Sequence, residues 1–259
     1  MRNFMEKSTV YFTDFRCKVG TSQLDKLKKL CIAAGIKDID MDGKFVAIKM
    51  HFGELGNLAF LRPNYAKVVA DLCKELGGMP FLTDCNTLYP GSRKNALEHM
   101  DCANLNGFNT ITTGCQIIIG DGLRGTDDVE VPVENAEYCP TARIGRAVMD
   151  ADIFISLTHF KGHEATGFGG AIKNIGMGCG SRAGKWLSTI VVNQLSKQTF
   201  AAAANAVQRN AEVTLLHILR KKRSLIMINV RAAVVVSVPA ALMQFTTHTA
   251  IPMSFSAVR

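Results

Sequence analysis

The segment LTHFKGHEATGFGGAIKNIGMGCGSRAGK, residues 157–185, holds the densest set of groups able to do chemistry. His159 and His163 flank Lys161, Glu164 follows, and Lys173, Asn174 and Arg182 lie in a glycine-rich run. Two histidines four residues apart can ligate one metal from a helix, but Gly162 between them favours a loop. His159 and His163 are therefore weak metal candidates. Lys161, Lys173 and Arg182 among glycines can instead hold an anion through side chains and backbone N–H donors. GCGSRAGK is no phosphate-binding P-loop, because it lacks the GxxxxGK[ST] spacing and has no Ser or Thr after Lys185. The structural alternative is a glycine-rich packing corner.

Two further clusters follow apolar runs. In KMHFGELGN, residues 49–57, His51 and Glu54 lie three apart beside Lys49 and could share a proton or a metal. A loop histidine with solvated neighbours is the plainer reading. In LTDCNTLYPGSRKN, residues 82–95, Asp84, Asn86 and Arg93 surround a turn, and Ser92 is placed to cap the next helix. Purely structural capping competes there with ligand contact. Cys179 lies among glycines and bases that would lower a thiol pKa, but no base partner follows it in sequence. The candidate catalytic set is thus His51, Glu54, His159, Lys161, His163 and Lys173. The candidate ligand or cofactor contacts are Asp84, Asn86, Asn174 and Arg182.

These residues need elements to position them. Strands are expected at Val10–Phe15, Phe45–Phe52, Phe81–Cys85, Cys115–Gly120, Val129–Val133 and Ile153–Leu157. Helices are expected at Ser22–Ala34, where Leu24, Leu27, Leu30 and Cys31 recur at helical spacing, and from Pro63 to the stop at Gly77 and Gly78. Two more are expected at Arg93–Asn106 and Ala142–Met149. Strands alternating with helices of this length indicate an α/β fold: a largely parallel sheet with flanking helices in Rossmann-like layers. Ligand groups in such folds gather beyond the carboxyl ends of the strands, where the polar clusters fall.

Composition narrows the function classes. The 259 residues are 47% hydrophobic and 20% charged, an ordinary globular balance. The formal charge is +8, but residues 1–185 hold 22 basic and 21 acidic groups, leaving +7 in the last 74 residues. A nearly neutral body disfavours nucleic acid or a membrane surface as its partner. No run of 18 apolar residues marks a membrane span. The eight cysteines include no CxxC pair and no export signal precedes them, so a reducing cytoplasm is expected.

The glycine-rich segment from Thr158 to Lys185, IIIGDGLRGTD at 117–127 and KMHFGELGN together resemble the DUF362 family. The resemblance spans roughly residues 8–185. It implies the α/β body of an uncharacterised iron–sulfur-centre protein, in which two CxxCxxCxxxC motifs of a ferredoxin-like insert hold [4Fe–4S] clusters after the glycine-rich run. An unknown redox partner is implied with them. This sequence departs from that pattern, having no cysteine after Cys179. As printed, it is expected to hold no such cluster.

The division expected is a DUF362-like domain over 1–185, itself incomplete, and an atypical basic tail over 186–259 that is irregular or partly helical. The tail has AAAANA at 201–206, AAVVVSV at 232–238 and one acid. Joining the last base of each codon to the first two of the next permits Cys-x-Gly-Cys-x-x-Cys-x-x-x-Cys over 200–211 and Cys-x-Gly-Cys-Gly-x-Cys over 231–238. An out-of-frame remnant of the cluster module is therefore expected. Function divides accordingly. One reading is a [4Fe–4S] redox protein, in its intact form, acting on a small anionic molecule. A second is a non-redox binding module using the basic tail on nucleic acid or anionic membrane. A third is a metal-dependent enzyme at His159 and His163.

Overall fold

The computed structural model describes residues 8–133, 140–163, 167–186, 225–229, 234–238 and 253–257. Its main sheet has eight strands: β1 Ser8–Phe12, β2 Phe45–Lys49, β3 Met79–Asp84, β4 Gln116–Ile119, β7 Ile153–Thr158, β10 Leu225–Asn229, β11 Val234–Val238 and β12 Met253–Ala257. The order across it is β12-β1-β11-β10-β7-β2-β3-β4. The five strands from β10 to β4 run parallel, whereas β11 is antiparallel to both β10 and β1.

Alternation along the strands builds two cores. Val46, Ile48, Leu82, Ile153, Ile155 and Leu157 face helices α1 (Gln23–Ala33) and α2 (Pro63–Glu75), which bury Leu27, Leu30, Cys31, Val69, Leu72 and Cys73. Ala47, Phe81 and Phe154 point the other way, onto Val131, Ile144, Val148, Met149 and Ile175. A parallel sheet covered on both faces needs such near-continuous apolar strands. Truncating Ile155 or Leu82 to alanine in this packing costs about 2–5 kcal/mol.

Local signals set the helix ends. Ser22 and Asp25 form a capping box at the start of α1, and Pro63 opens α2, its missing N–H costing nothing there. Helix α3 (Ala96–Leu105) starts later than expected: the Asn95 side chain, not Ser92, accepts from the Glu98 N–H. A short α4 (Thr110–Thr113) follows.

The expected helix at Ala142–Met149 divides. Thr141–Gly145 is strand β6, paired antiparallel with β5 (Asp128–Pro132), and only Arg146–Asp150 is helical, as α5. Pairing along the whole of β5 outweighs a weak local helical preference. Beyond residue 186, expected to be irregular or partly helical, the described residues form strands β10, β11 and β12. The valine run belongs to β11, where β-branched side chains suit extended backbone. Among the described residues no helix is long and apolar enough to cross a membrane.

Candidate functional site

The carboxyl ends of β2, β3 and β7 converge on a buried ionic network. Lys49, the last residue of β2, is 1% exposed, and Asp84, the last of β3, is 3% exposed. The Lys49 Nζ lies 2.8 Å from Asp84 Oδ1 and donates to Asn174 Oδ1 at 2.9 Å. Asp84 Oδ2 accepts from Arg93 Nη1 at 3.1 Å. Burial alone would raise the Asp84 pKa, but Lys49, His99 and Arg93 together hold it well below the usual carboxylate range. A buried charge is tolerated when so paired. Asn174, on α6 (Ala171–Gly176), turns its amide N–H groups to the Lys49 carbonyl, Ser156 Oγ and Thr158 Oγ1, tying β7 to β2.

Outward of this core lies a rim of polar side chains. Arg93 Nη2 donates to Glu54 Oε1, to the Tyr89 hydroxyl at 2.7 Å and toward His51 Nε2 at 2.9 Å. Tyr89 in turn donates to Glu54 Oε1 at 2.6 Å. Burial would raise the Glu54 pKa, but the hydrogen bonds from Arg93 and Tyr89 bring it below its ordinary value. His51 is an exposed residue, yet neighbouring protein crowds its ring. Lost hydration and then the Arg93 cation lower its pKa to about 3, so the ring is neutral near pH 7. A base that weak accepts protons poorly there, and its role is hydrogen bonding.

A second network lies beside β4. The backbone N–H and side-chain amide of Asn86 both donate to Asp121 Oδ1 at 2.9 Å, and the Arg182 N–H reaches Asp121 Oδ2 at 2.9 Å. Arg182 Nε donates to the Thr87 carbonyl at 3.1 Å, and Lys185 Nζ to the Asn86 carbonyl at 2.9 Å. Asn86 and Arg182 thus brace the loop after β3 against the glycine-rich segment.

The loop after β7 brings the remaining candidates. Residues Lys161–His163 form β8, a short hairpin with β9 (Gly167–Gly169), where loop geometry was expected. The register lays Lys161 opposite Gly169. A Cβ at Gly169 would stand 3.9 Å from both Lys161 Cγ and Lys173 Cδ, so the two lysine stems flank one glycine. Lys161 is exposed, while His159, His163 and Lys173 are half-buried. Glu164 lies outside the described residues.

Sequence reasoning missed two members of the network. His99 is fully buried on α3, with its Nε2 3.7 Å from Asp84 Oδ2 and its ring edge-on to Phe52. Nothing in the spacing of Glu98, Met100 and Asp101 around it marks it as a member of the network. Tyr89 reads as a turn residue, and no spacing ties it to Glu54, 35 residues earlier.

The described residues do not fit an iron–sulfur cluster. Seven cysteines are described and all are free thiols, with only Cys17 exposed. Burial pushes Cys31, Cys73 and Cys179 up to about 12, which weakens them as sources of the thiolates that a cluster requires. Among the described residues no three His, Cys, Asp or Glu side chains are grouped to hold a metal ion.

The family model for DUF362, a domain of unknown function, matches residues 46–240. The chain belongs to this family. The match includes β10 and β11 as well as the whole of the network. No curated protein matches the sequence. Among solved structures, this DUF362 chain is similar to a Thermotoga maritima protein at 13% identity and a TM-score of 0.52, covering 84% of this chain and 52% of that one. The lactate racemase apoprotein from Thermoanaerobacterium thermosaccharolyticum matches at 12% identity and a TM-score of 0.48, with 91% of this chain and 54% of that one covered. The chain therefore spans about half the length of either structure. The first likeness is one of fold alone, and the second is too low to carry an argument.

Proposed function

We propose that this DUF362 chain binds a small anionic molecule at the carboxyl edge of β2, β3 and β7. The observation that carries the reading is the convergence of Lys161 and Lys173 on Gly169, with Asn174, the residue after Lys173, accepting from Lys49 of the Lys49–Asp84 network. Lys161 and Lys173 supply positive charge at the mouth of the site. Asp84 orients Lys49 and Arg93, and Asn174 fixes the spacing between β7 and β2. Neutral His51 offers a ring nitrogen for hydrogen bonding without adding charge.

In this reading a [4Fe–4S] centre would belong to a separate module of an intact family member and would supply one-electron chemistry there. No side chain of this chain is assigned to holding it. Calorimetric titration with acetate and inorganic phosphate tests the proposal. Lys161→Met and Lys173→Met should each weaken binding about tenfold or more, the scale of a lost charge-assisted contact. Unchanged affinity in both variants would overturn it.

A further inference from the structure

Glu54 occupies an edge of the Arg93 guanidinium that it does not fill. Asp84 holds Nη1 from inside the fold. Nη2, with two hydrogens, meets Glu54 Oε1, the Tyr89 hydroxyl and the His51 ring nitrogen Nε2, whereas the buried Nε has no partner among the described residues. Nε–H and Nη2–H point the same way and form a two-toothed fork that matches the two oxygens of a carboxylate. Glu54 engages only Nη2, through Oε1, and its side chain is 32% exposed.

The neighbouring imidazole shows the same surplus of donors. His51 Nδ1 accepts from the Gly53 N–H at 2.9 Å, which places the proton of a neutral ring on Nε2. That N–H then confronts the Arg93 donor 2.9 Å away. The other tautomer only moves the conflict to Gly53. In either tautomer a donor faces a donor, and Arg93 Nε is unmet. One more acceptor group would resolve the arrangement.

We infer that Glu54 is a stand-in carboxylate, displaced when the carboxylate of a small-molecule ligand binds side-on to Arg93 Nε and Nη2. This rests on the anion-binding reading above. Rotation about the Glu54 side-chain bonds vacates the edge, and Tyr89, whose hydroxyl donates to Glu54, holds the stand-in until then. The arriving ligand exchanges a one-point contact for a two-point one and supplies the oxygen that His51 Nε2–H lacks. Ligand selection follows: a planar carboxylate fits the fork, and Glu54 sets the affinity it must exceed.

The test is acetate titration of the full chain and its Glu54→Gln, Tyr89→Phe and Arg93→Lys variants, with inorganic phosphate for comparison and urea unfolding to verify folding. Glu54→Gln should bind acetate about tenfold or more tightly than the parent, the scale of one charge-assisted hydrogen bond. Tyr89→Phe should give a smaller gain in the same direction, and Arg93→Lys in the Glu54→Gln background should lose the gain. Unchanged or weaker acetate binding in Glu54→Gln overturns the stand-in role, as does a gain that survives Arg93→Lys. If Lys173→Met weakens binding while Glu54→Gln gives no gain, the anion site stands and the stand-in falls. If phosphate gains as much as acetate, selection for a planar carboxylate is overturned. Absence of acetate and phosphate binding in every variant overturns both readings.

Discussion

Gly178 stands directly against Lys49: a Cβ at position 178 would lie 2.5 Å from the lysine Nζ and 2.0 Å from the Asn174 carbonyl oxygen. The glycine-rich segment is therefore close-packed where it meets the ionic network. Gly178→Ala should cost about 1–3 kcal/mol by overpacking. It should also displace the ammonium from Asp84. Urea unfolding measures the first effect and acetate titration the second.

Lys49 and Asp84 should be coupled far more strongly than a surface pair. Lys49→Met leaves Asp84 with less compensation in the interior and should destabilise by about 3–5 kcal/mol. The Lys49→Met, Asp84→Asn double variant should recover part of that loss, since no uncompensated carboxylate remains. A double-mutant cycle from urea midpoints reads the coupling, and simple additivity would refute it.

Acid should destabilise the fold in two stages. The His51 pKa falls from 6.5 in the unfolded chain to about 3 in the native one. Between those values the unfolded chain binds a proton that the native state refuses, so stability declines as pH drops below 6.5. Asp84 and Glu54, also lowered in the native state, add a second decline below about pH 4. Urea midpoints from pH 8 to pH 3 should follow this course, and His51→Asn should remove the upper stage alone. By NMR the His51 ring should remain neutral at pH 5.

Thiol labelling should separate the seven described cysteines sharply. Cys17 is exposed and should react with an aromatic disulfide reagent in the native protein. Cys31, Cys73, Cys85, Cys102, Cys115 and Cys179 are buried and should react only on unfolding. Rapid native labelling of Cys85 or Cys179, identified by peptide mapping, would contradict the packing of the glycine-rich segment against β3.

The parallel core was legible because β2, β3 and β7 are short apolar runs between helix signals, and Ser22 and Pro63 mark their helices locally. Lys49 and Asp84 could be singled out as polar residues in or after apolar runs and Asn174 in the glycine-rich run, but their meeting depends on strand order, which spacing does not encode. His99 and Tyr89 were hidden because each reaches the network through a tertiary contact. Thr141–Gly145 misled because its strand character comes from β5, a partner nine or more residues away in the chain. The valine run of β11 looked like compositional bias for a similar reason: its pairing with β1 links opposite ends of the sequence.

Strand β1 lies between β11 and β12, paired with residues 234–238 on one side and 253–257 on the other. A ribosome therefore releases β1 long before either neighbour exists. The β2–β3–β4 unit can assemble while synthesis continues, but β1 must wait with both edges unsatisfied until β11 and β12 emerge. That delay exposes a sheet edge to pairing with other chains during translation. Closing this part of the sheet joins a strand made early to strands made far later in the same chain.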